Sequence, residues 1–337
     1  MIGRFLAINI MISVAFVLVG CGGEKQGATV EEAYLKVAAE RKVMDTPAER
    51  VAITREFLDE YPSSAYTAAA IAAIYWYQGT ELGDKPGALA YTETIRQKID
   101  DPGVARDVDE LLIEFYGDAG KTAKMTAVAD RLESAGALDF DGHWNVINGA
   151  IKAGEWKLAR DYCAKARTKA TAGALRTELS YREFSEEEIA EAVNQREGML
   201  LVKKGWARAN QGEVDEALAD FAEADKRVPR YYFDIPEYDL YVYWGRTLMI
   251  KRDFDGAIDR FALNGLVMRN EEALAGLKQA YAGKHGSGDG YDAYAYALHR
   301  KVARTMHDFE MPDYAGNRFR FSGIQGDVTL VSLWFPT

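Results

Sequence analysis

The sequence has few cysteines and few prolines, and it has fewer basic than acidic residues. Only two of its 337 residues are cysteines and only eight are prolines. Scarce proline, together with frequent alanine through the middle of the chain, favours helix. Lys and Arg total 41 against 52 for Asp and Glu, which gives a net charge of −11. An acidic surface gains nothing by counterion release from a polyanion, so we expect no nucleic acid partner.

The sequence also lacks the patterns of a metal or phosphate site. The segment Gly283–Gly290 is rich in glycine but has no Gly-Lys-Ser/Thr ending, so it predicts a flexible loop between helices. The four histidines have neither metal-ligand spacing nor a partner cysteine. They are His143, His285, His299 and His307. We therefore expect no metal and no cofactor.

The longest apolar run is at the N-terminus. Residues Phe5–Val19 are apolar except for Asn9 and Ser13, and Arg4 precedes them. A helix of this length spans about 22 Å, which is less than the roughly 30 Å of a hydrocarbon core. The pattern therefore predicts an export signal over residues 1–20 rather than a permanent membrane span.

A cysteine directly follows this run. The residues Leu18-Val19-Gly20-Cys21 resemble a bacterial lipobox, with a branched residue three positions before the cysteine and a small residue just before it. The resemblance implies cleavage after Gly20 and lipid on Cys21, which would anchor the chain in a bacterial cell envelope, facing the periplasm or the exterior. Residues 21–28 would form a flexible tether, and Cys163 would be the only free thiol. The alternative is an ordinary signal peptide that contains a cysteine.

Three hydroxyl residues, each with a glutamate three positions later, predict helix starts with capping boxes. They are Thr29 with Glu32, Thr46 with Glu49, and Ser185 with Glu188. Tyr61-Pro62 and Val228-Pro229 predict helix ends, because the residue before a proline disfavours helical backbone.

Small and aromatic residues recur at the spacing of an antiparallel helix pair. One segment has Gly205, Ala217, Phe221, Ala224 and Pro229. This spacing resembles a tetratricopeptide repeat. The resemblance implies that Gly205 and Ala217 let two helices approach closely and that Phe221 fills the groove between them. It also implies that Ala224 admits the next helix and that Pro229 ends the second helix.

Other segments carry the same spacing with different residues. Forty residues on, Gly245, Ala257 and Phe261 match, whereas Asn264 and Arg269 replace the second alanine and the proline. Three weaker copies begin at a turn glycine that corresponds to Gly212. The residues five, nine and twelve positions later correspond to Ala217, Phe221 and Ala224. The copies are Gly154/Ala159/Cys163/Ala166, Gly120/Met125/Ala129/Leu132 and Gly83/Ala88/Thr92/Ile95.

These copies predict a mainly α fold, an α-α solenoid over residues 29–305 in which each hairpin is stable only when stacked on its neighbours. The intervals between turns are 37, 34, 58 and 40 residues, so we expect an additional helical pair spanning Ser185 in the longest interval. Cys163 replaces a groove-filling aromatic residue, which predicts a buried, inert thiol. An array of this kind is expected to hold a protein or peptide partner.

Three aromatic clusters could either line a groove for a peptide or glycan or pack between helices. They are Tyr75–Tyr77, Tyr231–Phe233 and Tyr238–Trp244. Core packing is the preferred interpretation for most of them. The best candidates for an exposed groove are in a connection interrupted by proline, namely Tyr231, Tyr232, Phe233 and Tyr238.

From residue 306 the pattern changes from helical to extended. Ala315-Gly316-Asn317 predicts a turn, and Phe319-Arg320-Phe321 alternates as a strand does. Val328–Phe335 is apolar on both faces, which is typical of a central strand covered by helices in an α/β sheet.

The run from Phe309 to Thr337 resembles the opening of a TlpA-type thioredoxin-like thiol-disulfide oxidoreductase. In that family the corresponding strand leads into two cysteines, two residues apart, at a helix N-terminus that lowers the pKa of the first thiol. The resemblance implies that residues 306–337 begin an incomplete thioredoxin-like domain, and that this chain lacks its catalytic residues. The residues that match the approach to the redox motif are Trp334, Phe335, Pro336 and Thr337.

Four explanations for an ending at that position stay open. The first redox residue could be selenocysteine, whose UGA codon ordinary translation reads as a stop. The others are a frameshift, a fragmentary gene and loss of the domain. The preferred hypothesis is a lipid-anchored helical array that holds partners near a redox module. The alternative is a non-enzymatic scaffold that is complete at about residue 305 and carries a vestigial tail.

Overall fold

The structure, a computed structural model, describes residues 29–178, 180, 183–230, 236, 239–302, 310–312 and 317–320. This part of the chain is mainly α-helical, as the sequence predicts. Its helices are α1 Val30–Val43, α2 Pro47–Glu60, α3 Thr67–Ile74, α4 Lys85–Gln97, α5 Pro102–Asp118, α6 Thr122–Ser134, α7 Phe140–Ala153, α8 Trp156–Lys169, α9 Ala172–Glu178, α10 Glu186–Asn210, α11 Val214–Ala224, α12 Leu240–Ile250, α13 Phe254–Ala262, α14 Glu271–His285 and α15 Tyr291–Val302.

Two helices continue with a wider turn. α3 passes into a π-helix over Tyr75–Glu81, and α13 passes into another over Leu263–Val267. The chain divides into two compact units. The first contains α1 to α11 and the start of α12 as far as Tyr243, and the second contains the rest of α12 and the later elements.

The three predicted capping boxes are confirmed. The Thr29 hydroxyl accepts a hydrogen bond from the Glu32 amide at 3.2 Å, and the Glu32 carboxylate accepts one from the Thr29 amide at 2.8 Å. Thr46 with Glu49 and Ser185 with Glu188 show the same reciprocal pattern. Each pair satisfies amides that have no partner inside the helix, which fixes the first residue of α1, α2 and α10.

The repeat spacing also locates the turns. The backbone is left-handed, with φ between 60° and 85°, at Gly83, Gly120, Gly154, Gly212 and Arg252. After four of these turns the next amide donates to the carbonyl five residues before it, as Glu213 does to Arg208 at 3.0 Å. This is the hydrogen bond of a Schellman motif, which ends a helix and reverses the chain. At Gly83 the bond reaches back six residues, from Asp84 to Gln78, because a π-helix precedes it.

The positions five, nine and twelve residues after these turns form the core of each hairpin. None of the fifteen side chains at these positions is more than 6% exposed. They are Ala88, Thr92, Ile95, Met125, Ala129, Leu132, Ala159, Cys163, Ala166, Ala217, Phe221, Ala224, Ala257, Phe261 and Asn264. The same backbone geometry therefore buries alanine, threonine, cysteine, asparagine or phenylalanine at equivalent places.

Glycines lie where a buried ring meets a helix backbone. A Cβ atom on Gly205 would be 2.8 Å from Cε1 of Phe221, and one on Gly245 would be 2.7 Å from Cε1 of Phe261. Gly276 of α14 also meets the Phe261 ring, whose Cζ is 2.6 Å from the Cβ position of this glycine. Real Cβ atoms do not come so close, so only glycine lets these helices approach around the ring.

The longest interval contains less than the predicted helical pair. It holds the short helix α9 and the first half of α10, a single helix of 25 residues that begins at the Ser185 cap. No proline interrupts α10, and Ile189, Leu200 and Val202 keep it buried along its length. After Ala224, α11 gives way to a tight turn in which the Arg227 amide donates to the Ala224 carbonyl, so the helix ends before Pro229.

After α15 the described residues form a small antiparallel ribbon. Strand β1, Glu310–Pro312, pairs with β2, Arg318–Arg320, and Arg320 Nε donates to Glu310 at 2.9 Å across the pair. The rest of the predicted C-terminal β segment lies outside the described residues, as do Cys21 and the signal segment. The same holds for Trp334, Phe335, Pro336 and Thr337 and for Tyr231, Tyr232, Phe233 and Tyr238. Among the described helices, none is long and apolar enough to cross a membrane.

Arg252 occupies a turn position at which the other four hairpins have glycine. Left-handed backbone costs a non-glycine residue about 1–2 kcal/mol, whereas glycine adopts it freely. We therefore expect Arg252→Gly to stabilise the protein by about 0.5–1 kcal/mol after allowing for the greater flexibility of glycine in the unfolded chain. An increase in the urea unfolding midpoint would show this. The reverse change, Gly212→Arg, should lower the midpoint, and a loss of stability in Arg252→Gly would contradict the assignment.

The contact of Gly205 with Phe221 gives a second expectation. Gly205→Ala places a methyl group against a fully buried ring, so overpacking should outweigh the gain in helix propensity and destabilise the protein by about 1–2 kcal/mol. The matched control is Gly173→Ala in α9, where no atom lies within 4 Å of the added methyl group. Equal thermal midpoints for the two variants would show that the close approach is unimportant.

Candidate binding surface

Cys163 belongs to the interior of the first unit. Its side chain is 3% exposed, and burial raises the pKa of its thiol to about 12. A thiol with so high a pKa is almost entirely protonated at neutral pH and is a poor nucleophile. The predicted burial of this thiol is confirmed.

Some side chains of the aromatic clusters are buried in the core, and others are exposed. Tyr75 is buried and stacks on Phe115 with ring centroids 3.6 Å apart, and Tyr241 is buried on α12. Trp76, the next residue after Tyr75, is 39% exposed and donates its indole hydrogen to Glu81 at 2.8 Å. The preferred core interpretation therefore holds for Tyr75 and Tyr241 and fails for Trp76.

A row of carboxylates follows one face of α5. Glu110, Glu114 and Asp118 are four residues apart, so they project from the same side of the helix. The opposite side is buried and apolar, with Val108, Leu112, Ile113 and Phe115 in the core. The surface is continued by α7, whose backbone meets α5 where the Cβ position of Gly117 is 2.9 Å from Cα of Gly149.

Two more carboxylates from the start of α7 join this row. Asp139 caps the helix by accepting a hydrogen bond from the Gly142 amide at 2.8 Å. Asp141 is in the first turn, where a negative charge interacts favourably with the helix dipole. Both influence Glu110, because their charges raise the pKa of its carboxyl. We call Glu110, Glu114, Asp118, Asp139 and Asp141 the acidic wall.

Carboxyls of the acidic wall are partly desolvated. Glu110 is 32% exposed, yet burial, with a further contribution from Asp139, raises the pKa of its carboxyl to about 7. Glu114 and Asp141 are exposed, and burial also raises the pKa of each of them. A carboxyl that protein partly desolvates binds its proton more tightly than one surrounded by water. The carboxyls of the wall are therefore reachable by water and yet partly desolvated.

Asp118 differs from the other members because cations hold it. Lys85 and Lys152 each approach it at 3.0 Å, and Tyr75 donates to the same carboxylate at 3.3 Å. Burial opposes ionisation of Asp118, but the hydrogen bonds from Lys152 and Lys85 outweigh it and lower the pKa of the carboxyl. Asp118 is thus an ionised, neutralised end of the wall, and the uncompensated charge is around Glu110 and Glu114.

A second cluster in the first unit surrounds a lysine. Lys203 of α10 is 7% exposed, and its Nζ is 5.3 Å from the ring centroids of both Trp144 and Tyr243. The Tyr243 ring stacks on Trp206 at 4.7 Å, and Trp156 meets Trp206 edge to face at 6.3 Å. These rings come from α7, α8, α10 and α12, so no local spacing in the sequence indicates the cluster.

The described histidines do not form a metal site. His143 is fully buried, with Nε2 at 2.5 Å from a Glu133 carboxylate oxygen and Nδ1 at 2.5 Å from the Asp139 carbonyl. His285 packs against Tyr281 with ring centroids 4.4 Å apart. Within the described ranges, no three His, Cys, Asp or Glu side chains come together in a way that could hold a metal ion.

The repeat positions named from the sequence lie in the hairpin core, not in either of these surfaces. Gly205, Ala217, Phe221 and Ala224 pack α10 on α11, and Gly245, Ala257 and Phe261 occupy the equivalent places in the next hairpin. Sequence reasoning missed the acidic wall, although the spacing of its three α5 carboxylates was a readable signal.

Comparisons with known proteins leave the family open. No protein-family model matches the chain, and no curated protein matches it. Among solved structures, a tetratricopeptide repeat protein from Parabacteroides merdae is similar with a TM-score of 0.39 at 15% sequence identity, over 76% of this chain and 100% of that chain. This likeness is too low to support an assignment of the fold. The assignment of helical hairpins therefore rests on the contacts within the chain itself.

Proposed function

We propose that the protein is a binding scaffold whose acidic wall holds a basic segment of a protein or peptide partner. The observation that carries this proposal is Glu110, a carboxyl that water can reach and whose pKa is nevertheless raised to about 7. Acidic residues on an ordinary helix surface are fully solvated and keep their usual pKa. Here carboxylates are crowded on one surface, where each additional negative charge opposes the ionisation of its neighbours.

This crowding is unfavourable for the free protein and favourable for a cationic ligand. Arg106 lies 3.9 Å from Glu110 and offsets only part of the repulsion from Asp139 and Asp141. An ammonium or guanidinium group beside the acidic wall would neutralise several carboxylates at once. Because an adjacent positive charge favours the ionised form of a carboxyl, binding should also release the proton from Glu110.

The pH dependence of binding tests the proposal. As the pH rises from 6 to 8, Glu110 ionises, so a capped tetralysine peptide should bind more tightly to the wild-type protein in calorimetric titrations. In Glu110→Gln we expect weaker binding and a flatter pH profile. The matched control is Glu187→Gln in the first turn of α10, which makes the same change in net charge at an exposed position outside the wall.

Stability should change in the opposite direction to binding. The folded-state pKa of Glu110 lies above its ordinary value of 4.5, so the folded protein binds the proton more tightly and loses stability as the pH rises through about 7. Glu110→Gln should lack this loss. If the variant binds tetralysine like the Glu187→Gln control over the whole pH range, the acidic wall is not the binding surface.

We further propose that the scaffold is anchored by lipid on Cys21 in a bacterial cell envelope. This proposal is supported by the apolar run Phe5–Val19 and by the lipobox-like Leu18-Val19-Gly20-Cys21. Anchoring would confine the acidic wall to the layer next to a membrane, where a partner held at the same surface is concentrated by proximity.

Labelling with radioactive palmitate in a bacterial host tests the anchor. The wild-type protein should incorporate the label and sediment with membranes, whereas Cys21→Ser should do neither because the acceptor sulfur is missing. Cys163→Ala is the control, since it removes the other cysteine, and it should be labelled like the wild type. Label retained by Cys21→Ser would contradict the lipid attachment.

The resemblance of residues 309–337 to the opening of a TlpA-type domain supports a second role beside the scaffold. We propose that the array presents its partner to a thioredoxin-like module, whose attacking thiolate or selenolate would exchange with a disulfide of the partner. The alternative, a scaffold without redox activity, is favoured by the hairpin core, whose buried residues in the described part of the chain extend to Tyr281 of α14. Mass spectrometry of the C-terminal peptide of the native protein distinguishes the redox role from the scaffold without redox activity. Only the redox role requires a cysteine or selenocysteine after Thr337.

A further inference from the structure

Lys203 is a buried cation that forms no ion pair with the residues that the structure describes. Its side chain is 7% exposed, and burial lowers the pKa of its ammonium group, while Asp239 and Cys163 act weakly in the other direction. Among the residues that the structure describes, no carboxylate forms an ion pair with its Nζ and no oxygen accepts a hydrogen bond from it. Its described contacts are the faces of Trp144 and Tyr243.

The neighbouring cations show that this situation is particular to Lys203. Lys204, the next residue, pairs with Asp220 at 3.0 Å, and Arg208 one turn further approaches the same carboxylate at 2.6 Å. Asp220 is itself buried, so α10 and α11 supply a counter-ion where the array requires one. Lys203 lies on the other side of α10, among aromatic rings.

A buried ammonium without a counter-ion is unfavourable for folding. The two rings at 5.3 Å contribute cation–π attraction of about 0.5–2 kcal/mol each, which is less than the several kcal/mol that desolvation of an ion costs. A methionine would fill the same space without that cost. As far as the described residues show, the position therefore combines an ammonium group that has no hydrogen-bond acceptor with partly exposed aromatic rings.

The surroundings of Lys203 indicate which chemical group would accept hydrogen bonds from its ammonium group. We propose that Lys203, Trp144 and Tyr243 form a binding site for a carboxylate attached to an apolar or aromatic group. The carboxylate would accept hydrogen bonds from the ammonium group, and the apolar body would lie against the rings, including Trp206, which stacks on Tyr243. Such a group is found in free organic acids and at the C-terminus of a peptide that ends in an apolar residue.

Two pairs of probes separate these sources. The first pair is 3-phenylpropionate and its amide, and the second is the tripeptide Ala-Ala-Phe with a free or an amidated C-terminus. Binding is measured by calorimetry and by the fluorescence of the tryptophans. We expect each acid to bind at least about tenfold more tightly than its amide, because a hydrogen bond to a charged group contributes that much. Tighter binding of the tripeptide acid than of 3-phenylpropionate would identify a peptide C-terminus as the ligand. Equal binding of these two acids would identify a small organic acid.

Lys203→Met is the decisive variant, because it removes the charge and retains the length of the side chain. It should lose the preference for acids over amides while its thermal midpoint stays equal to or rises above that of the wild type. Lys204→Met, the matched control, breaks the pair with Asp220 but should keep the preference. Glu110→Gln should also keep it, so failure of the acidic wall and failure of this site are distinguishable.

Two binding results and one stability result would overturn the proposal. One is equal binding of acid and amide, or no binding of either, to the wild-type protein. The other is an unchanged preference for acids in Lys203→Met. A lower thermal midpoint in Lys203→Met would also count against it, because it would show that the ammonium group stabilises the fold through contacts within the chain.

Discussion

The approach of a glycine backbone to a buried ring is the contact on which the best-marked hairpins depend. Phe221 fills the space between α10 and α11 because Gly205 leaves room for its ring. Phe261 has glycine on two sides, Gly245 in its own hairpin and Gly276 in α14. One ring therefore fixes the spacing both within a hairpin and to the next helix. This is why residues far apart in the chain share one geometry.

The same constraint is met with other residues in the earlier hairpins. Between α5 and α7, Gly117 and Gly149 bring the backbones together and the sulfur of Met125 packs over both. Thr92 and Cys163 occupy the place of the ring in other hairpins and are buried. A small residue thus occupies the position of the phenylalanine in these hairpins, and Met125 packs at the neighbouring position that is equivalent to Ala217. The array varies in sequence because packed volume, rather than residue identity, is what the fold requires.

Local signals in the sequence predicted local structure well. Capping boxes, turn glycines and the five–nine–twelve spacing depend on hydrogen bonds and contacts within one hairpin, and each was readable from neighbouring residues. The length of α10 was not readable from the sequence. Nothing in a 58-residue interval distinguishes a helical pair from one long helix, because tertiary packing selects between them. The π-helix at Tyr75–Glu81 escaped prediction for the same reason: Tyr75 is held against Phe115 of another hairpin. Both candidate surfaces combine side chains from several helices, and only the α5 carboxylates had a readable spacing.

The two surfaces also show how such an array can carry unfavourable charge. The hairpin cores consist of apolar or small residues, and their charges are paired, as Asp109 is by Arg96 and Arg131 at 2.8 Å each. This leaves stability in the core that does not depend on the exposed residues of the helices. Glu110 and Lys203 both lack sufficient counter-charge, and each would be relieved by a ligand of opposite sign. A group that is destabilised in the free protein gives more energy on binding than one already satisfied, since its desolvation is complete before the ligand arrives. Unsatisfied charges on a stable array are therefore the places where a partner gains most.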